Sequence, residues 1–370
     1  MQFIYQRPDW PNFQFNSERI MPLVGRVRNL QGKLSGKMES LGFVLQNEAQ
    51  LEVLSLDVTQ SSEIEGEHLD SAQVRSSIAR KLGMDMAGMV PSDRGVDGIV
   101  DMMLDATQNP DRSLTNERLF GWHSAMFPSG RSGMYAIVVG NWRNDSTGPM
   151  QVVSGPVGRE TIQFQAPTAS LIESDIQKFL QWFNSDQPID PTIKAGIAHL
   201  WFVTIHPFED GNGRITRAIT DMVLSHSETS LQRFYSMSSQ IRVERKAYYE
   251  ILERVQKGDL DITAWLEWFL ACLERALIGA AEIVMRVLQK HQFWLDHKTT
   301  PFNDRQSLML NKLLEDFFGK LTTSKWAKMT KCSTDTALRD IQDLVKKQVL
   351  EKEPGGGRST SYRLRLPDHS

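Results

Sequence analysis

Apolar residues recur at helix-compatible spacings over most of the chain. Leu41, Leu45, Leu51, Leu54 and Val58 set the pattern for residues 21–86, with a helix ending near Gly66 and another starting near Asp70. Residues 93–127 continue it, with Ile99, Met102, Met103 and Ala106 on one side. Further helices are expected over 171–184, 191–204, 213–225, about 243–257 and 262–296, and Pro191 suits a first helical turn. Two stretches break this texture. Residues up to about Pro22 are irregular and aromatic (Phe3, Tyr5, Trp10, Phe13, Phe15), and read as an arm packed on a neighbouring part of the chain. Residues 134–167 carry β-branched runs broken by Gly, Asn, Asp and Pro, and read as a hairpin. The turn-rich segment 297–304 suggests a domain boundary. Beyond it the pattern is three helices and two short strands around the glycines at 355–357. The expected fold class is mainly α.

The bulk numbers narrow the class without naming a partner. The chain has 370 residues with 24% charged positions and a formal net charge of -3. It is long enough for two or three domains, and it carries no global attraction to nucleic acid or membrane. Cys272 and Cys332 are far apart and have no CxxC partner, which argues against a disulfide framework or zinc site and for a reducing compartment. The N-terminus lacks a basic segment followed by an apolar run. The most apolar helix, 262–288, carries Glu267, Glu274, Arg275 and Glu282, too many charges for a bilayer span. The expectation is a cytoplasmic protein without a membrane partner.

The chemistry concentrates in "TIHPFEDGNGRITR", residues 204–217. A turn between two helices places the amides of Gly211, Asn212, Gly213 and Arg214 at the start of the second helix. Free N–H groups and the positive end of the helix dipole there favour an anion. Two glycines permit left-handed dihedrals and close backbone approach. Arg214 and Arg217 share a face one turn in, and guanidinium forks match phosphate oxygens. Asp210 offers a carboxylate suited to Mg²⁺ bridging phosphates, and His206 can accept a proton near neutral pH. Neither a P-loop nor a dinucleotide GxGxxG turn is present.

"HPFEDGNGRITR" resembles the HxFx[DE]GNGRxxR signature of Fic proteins at every specified position. The resemblance implies a Fic helical bundle with a β-hairpin flap. It implies transfer of AMP from ATP to a Tyr, Thr or Ser hydroxyl of a target protein, with release of pyrophosphate. On that resemblance His206 is the base and Asp210 the Mg²⁺ ligand. Gly211, Asn212 and Gly213 line the α- and β-phosphates, Arg214 holds the β-phosphate and Arg217 the γ-phosphate, and Ile215 and Thr216 belong to the same nucleotide-binding stretch. Phe208 packs the loop, Glu209 is taken as solvated, and His199 as a helix-face histidine.

"SSEIEGE", residues 61–67, resembles the Fic inhibitory motif [ST]xxxE[GN] through Ser61, Glu65 and Gly66. It implies that Glu65 pairs with Arg217 in place of the γ-phosphate, while Glu63 and Glu67 read as solvated. The hairpin at 134–167 falls where Fic proteins carry a flap that docks the target as an added strand. "KAYYEILERVQKGDL" resembles the adenine-side helix, with Tyr248 and Tyr249 near the base. The resemblance divides the chain into an N-terminal helical region with the inhibitory helix (1–92), a catalytic core (93–296) and a winged helix-turn-helix (304–370).

From Lys320 onward eleven Lys or Arg face six Asp or Glu. A basic patch on a winged helix permits DNA contact through its second helix, residues 333–347, and through Arg358 at the wing. Asp335, Asp340 and Asp343 on that helix count against it. Such modules also serve as protein docking or homodimer surfaces. Three activities stay open: AMP transfer, including self-modification; Fic-type removal of AMP; and a DNA-binding regulator using the core as a nucleotide sensor.

Overall fold

The computed structural model describes residues 2–39, 41–84, 88–146, 148–154, 161–227, 233–314, 317, 319–353 and 360–365. Arg358 and the glycines at 355–357 lie outside the described residues. The chain forms two compact units, residues 1–83 with 90–281, and residues 84–89 with 282–370.

The first unit begins with a 3-10 turn, Ile4–Gln6, and the helices α1 (Ser17–Glu39), α2 (Phe43–Ile64), α3 (Ser71–Lys81), α4 (Arg94–Gln108) and α5 (Asn116–Met126). Helix α1 starts earlier than the aromatic texture suggests and contains Pro22. The caps follow local chemistry. The Asp70 side chain accepts the Ala72 and Gln73 amides, Asp93 accepts Val96 N–H, and Thr115 accepts Arg118 N–H. Ile99, Met102, Met103 and Ala106 are all buried on α4. The aromatic arm packs as expected. Trp10 and Phe13 meet Trp201 edge-on, and Phe3 and Tyr5 meet Phe164.

The expected single hairpin is two small ones. Strands β1 (Arg131–Ser132) and β2 (Tyr135–Ala136) pair, and β3 (Gln151–Ser154) pairs antiparallel with β4 (Thr161–Gln165) with an irregularity between Val152 and Val153. Between β2 and β3 the backbone is engaged elsewhere. Val138 N–H donates to Glu209, Gly140 N–H to His123, and Arg143 N–H to the Pro207 carbonyl. These bonds take the place of a longer ladder.

Then come α6 (Ala169–Asn184), α7 (Pro191–Ile205), α8 (Asn212–His226), α9 (Met237–Val243), α10 (Arg245–Gln256) and α11 (Thr263–Asp296), the last of which passes into the second unit. Helix α7 opens on Asp190 as cap and Pro191 in its first turn. It is buried on all sides, from Ile193 to Ile205, so it is the spine of the core. Helix α8 packs along it and is nearly as buried, down to Asp221 and Ser225. The turn joining these two helices is therefore held by a rigid pair.

The second unit contains α12 (Asp304–Leu314), β5 (Leu321–Thr322), α13 (Thr323–Thr330), α14 (Thr334–Lys346), β6 (Leu350–Lys352) and β7 (Ser361–Leu364). The strands form an antiparallel sheet of order β5-β7-β6. Trp326, Met309, Leu310, Leu321, Ile341 and Leu344 lead its core. Ala337 is buried with them, whereas Leu338 is only half-buried. No described helix in either unit is long and apolar enough to cross a membrane.

Candidate active site

The α7–α8 turn is shaped by its own side chains. His206 caps α7 in the left-handed region, at φ 52 and ψ 58. Gly211 caps α8 at φ 82. A Cβ on Gly211 would stand 3.0 Å from the Phe127 ring and 3.1 Å from Met126 Sδ, so both dihedral and space call for glycine. Asn212 closes the loop. Its side-chain amide donates to Phe208 O at 2.8 Å and its oxygen accepts Phe208 N–H at 2.9 Å. That side chain is thus turned into the loop, and the Asn212 backbone N–H is left at the helix start. Phe208 is buried and stacks on His123, with ring centroids 4.2 Å apart.

Helix α8 begins as an anion seat. The first amide to close onto the turn is Ile215 N–H, bonded to Gly211 O at 3.0 Å. The amides of Asn212, Gly213 and Arg214 precede it, in the positions that have no intrahelical acceptor. A carboxylate stands beside Gly213 at this helix end. A Cβ built on Gly213 would meet Glu65 Oε1 at 2.0 Å, so Gly213 is the gap into which Glu65 fits. Glu65 Oε1 accepts from Arg217 Nη2 at 2.8 Å, and Ser61 gives the same guanidinium its hydroxyl and carbonyl oxygens, both at 2.8 Å. Burial works against the Arg217 charge, but Glu65 more than compensates and raises its pKa. Gly66, at φ 85, turns the chain away immediately after Glu65.

Two neighbouring acids taken as solvated are instead paired. Glu67 accepts from Arg214 Nη1, and Glu63 accepts from Arg242 at 2.6 Å. Arg214 also lies over the Phe127 ring at 5.1 Å and reaches Asp210 at 3.9 Å. Glu209 is not solvated either; it receives Val138 N–H at 2.9 Å.

His206 is poised to accept a proton. Its Nδ1 lies 3.2 Å from the Val203 carbonyl, which can only accept, so Nδ1 carries the hydrogen and Nε2 keeps its lone pair. Burial first, and the Arg143 charge with it, push the imidazole pKa down to about 4, against the pull of Glu65 and Asp210. At neutral pH the ring is a neutral base. Asp210 Oδ1 accepts Gly211 N–H at 2.5 Å and its Oδ2 receives the Ser132 hydroxyl, while its side chain stays partly open to solvent. No group of three or more His, Cys, Asp or Glu that could hold a metal occurs among the described residues.

Tyr248 and Tyr249 stand beside Arg217, whereas Ile215 and Thr216 turn into the core. Ile215 is wholly buried, and the Thr216 hydroxyl bonds back to Asn212 O at 2.7 Å. Tyr248 is buried with its hydroxyl 2.9 Å from His199 Nε2, and His199 Nδ1 faces Thr220 at 2.9 Å. Both are therefore core groups, and burial holds the His199 pKa down to about 3. Tyr249 is more than a third exposed, and its hydroxyl lies 3.5 Å from Glu65 Oε2. It is the tyrosine that borders the seat.

Three contributors are not visible in the sequence pattern. His123 Nε2 lies 3.2 Å from Asp210 O and its Nδ1 receives Gly140 N–H, so one buried ring ties two loops to the turn. Burial lowers its pKa to about 4. Arg143 donates to His206 O at 2.8 Å, and Ser132 meets Asp210. Each lies at least sixty residues in sequence from its partner in the α7–α8 turn, and no local motif announces the pairing.

Comparison with known proteins adds an independent line. Residues 113–224 match the Fic/DOC family, and residues 3–84 match a domain of unknown function, DUF4172. Over 104 residues, 28% of this chain, the sequence is 32% identical to the protein adenylyltransferase Fic of Drosophila mojavensis and 31% identical to that of Drosophila melanogaster. Those matches span only 19% and 20% of the relatives' own length. The crystal structure of a Fic family protein from Desulfovibrio desulfuricans G20 superposes with a TM-score of 0.54 at 20% identity, covering 94% of this chain and 96% of that one. That likeness is one of fold.

Proposed function

From the match of residues 113–224 to the Fic/DOC family we propose that this chain is a Fic protein adenylyltransferase held in a closed state by its own α2 helix. The observation that carries the reading is the Glu65 carboxylate seated against Gly213 and paired with Arg217, beside a neutral His206. A carboxylate and a phosphate oxygen compete for one guanidinium fork, and Glu65 stands against Gly213 at the helix end where a phosphate would approach. Anything that withdraws Glu65 frees both for the triphosphate of ATP.

The chemistry then follows from the residues. His206 Nε2 takes the proton of a target hydroxyl as its oxygen attacks the α-phosphorus. The bond from that phosphorus to the oxygen bridging to the β-phosphate breaks, and pyrophosphate leaves. The amides of Gly213 and Arg214, with both guanidinium groups, neutralise charge on the phosphates. Asp210 would hold Mg²⁺ alone among the acids of this site, with phosphate oxygens and water completing a shell that this ion ordinarily takes from substrate. The target docks on the segment 134–167, where Met134 and Tyr135 are strongly exposed, and self-modification uses the same geometry.

The test is transfer from α-labelled ATP with Mg²⁺ to proteins of a cell extract, comparing the parent, Glu65→Gly and His206→Ala. Glu65→Gly raises labelling and His206→Ala abolishes it. Unchanged labelling in Glu65→Gly, with ATP bound, sinks the brake.

One observation favours a further role for the C-terminal unit, which we read as a winged helix. One of the acids that count against DNA contact is turned inward and a second is paired, while Asp335 stays exposed. Asp340 is buried on Arg305 at 2.7 Å, and Asp343 accepts from Lys347 and Gln306. The exposed face of α14 keeps Arg339, Gln342 and Lys346, with Lys328 and Lys331 nearby in the chain. Duplex DNA fits that polarity. Salt-dependent binding that survives His206→Ala and weakens in Arg339→Ala/Lys346→Ala supports it; binding equal in both overturns it.

A further inference from the structure

Arg143 is a buried cation with no part in the motif. Its side chain is 1% exposed. Each of its donors has a partner drawn from a different stretch of chain: Nε to His206 O at 2.8 Å, Nη2 to Pro167 O at 2.5 Å, and Nη1 to Asp145 at 2.9 Å. Its backbone N–H adds Pro207 O at 2.9 Å. Asp145 in turn accepts Ala169 N–H at 2.7 Å, which fastens the start of α6 to the same cluster. Arg143, through its guanidinium, its amide and Asp145, therefore joins the loop before β3, the end of the segment after β4, the start of α6 and the carbonyls of His206 and Pro207.

What it holds is unusual. His206 sits in the left-handed region, which costs an ordinary side chain roughly 1 kcal/mol. Such a conformation persists only where its surroundings over-determine it. Arg143 bonds the carbonyl on one side of Pro207 through its side chain and the carbonyl on the other through its amide. Helix α7 and the Val203 carbonyl fix the ring from below. We propose that Arg143 is the positioning residue for His206: by clamping its backbone carbonyl it aims Nε2 at the reacting hydroxyl, and it couples the aim of the base to the docking segment. The inference rests on the reading of His206 as the base.

The coupling has a direction. A target strand that shifts residues 137–150 or Pro167 moves Arg143, and with it the imidazole. Docking and base placement are then one event. The charge adds a second, separable effect. Arg143 on its loop disfavours the imidazolium, while Glu65 at the end of α2 and Asp210 in the turn favour it. Removing the guanidinium leaves burial as the main cause of the depression, and lets the pKa rise part of the way towards its ordinary value.

The test uses the full chain in a Glu65→Gly background, with Arg143→Lys and Arg143→Met. Both variants should keep ATP affinity within about twofold while kcat falls at least about tenfold, the expected scale for a misaimed base. In Arg143→Met the acid limb of the kcat/KM profile and the His206 imidazole titration, followed by NMR, both move to higher pH. In Arg143→Lys, which keeps a charge, they move less. Loss of ATP affinity in step with kcat, or an unmoved His206 titration in a folded Arg143→Met, overturns the proposal. If Arg143→Met does not fold, the kcat against KM split in Arg143→Lys decides alone. If the Glu65→Gly parent itself transfers nothing, the functional reading has failed, and the imidazole titration still reports whether Arg143 positions the ring.

Discussion

At the scale of single residues the proposed closed state reduces to a fit between a side chain and an absent one. Glu65 Oε1 occupies the space that a Cβ on Gly213 would need, at 2.0 Å. Gly213→Ala must therefore shift the Glu65 carboxylate off Arg217, a guanidinium 2% exposed that keeps only its Ser61 contacts. With Glu65 itself 29% exposed, the cost is about 1–3 kcal/mol, below that of a fully buried pair. The expected result is a marked stability loss for Gly213→Ala in the parent and a much smaller one in Glu65→Gly, where the gap is already empty. A double-mutant cycle by urea unfolding measures this, and equal losses in both backgrounds would remove the seat. The members of the seat were legible because His206, Asp210, Gly211, Gly213, Arg214 and Arg217 lie within a dozen positions of one another. Their partners were not. Glu67 meets Arg214 across 147 residues of chain and Glu63 meets Arg242 across 179, so spacing along the sequence cannot reveal either pair. Tyr248 was misleading for a related reason. A tyrosine beside Tyr249 on one helix reads the same whether its hydroxyl faces a ligand or His199.

At the scale of elements, α2 is fastened to α8 by more than its last turn. Arg233 lies between Asp57 on α2 and Asp221 on α8, at 2.5 and 2.6 Å, and all three are at least 97% buried or nearly so by side chain. Ser236 adds a hydrogen bond to Asp57 at 2.6 Å. One cation facing two buried carboxylates leaves an excess negative charge. Burial, more than Arg233 relieves, raises the Asp221 pKa to about 7. The two substitutions should then behave very differently. Arg233→Met strands two carboxylates and costs about 3–5 kcal/mol. Asp221→Asn removes a charge that is already half neutralised at pH 7, and costs about 1 kcal/mol or less. Urea unfolding at pH 7 separates them, and equal costs would mean that the triad is not electrostatically strained. The helices themselves were readable from periodicity and caps, since Asp70, Asp93, Thr115 and Asp190 mark four of the starts. The strands were not, because the segment 137–150 satisfies its backbone through Glu209, His123 and Pro207 rather than through a neighbouring strand. The triad was invisible for the reason given above: its members are an aspartate, an arginine and an aspartate with no common motif.

At the scale of the whole molecule, the first unit carries three histidines kept neutral by burial. The His123 and His206 pKa values are lowered to about 4 and that of His199 to about 3. In the unfolded chain each titrates near 6.5. Between those values the unfolded state binds more protons, so stability rises with pH and is lost as pH falls below about 6.5. By pH 5 each such histidine costs about 2 kcal/mol, and together they approach the total stability of an ordinary domain. Asp221 works in the opposite sense. Its raised pKa gives stability that is present below its unfolded value near 3.8 and lost as pH rises towards 7. The sum is a stability maximum near neutrality with a steeper fall on the acid side. His199 is the cleanest probe of that fall, because it touches Thr220 and Tyr248 and stands outside the turn. Gln in its place offers a donor and an acceptor to the same two hydroxyls without a titrating ring. His199→Gln should lower the thermal midpoint at pH 7.5 modestly through imperfect packing, yet flatten its decline between pH 6.5 and 5. A variant whose midpoint falls as steeply as the parent's over that interval would show that His199 is not held neutral in the folded chain. The acid sensitivity of the first unit would then have to come from His123 and His206, the two rings at the α7–α8 turn.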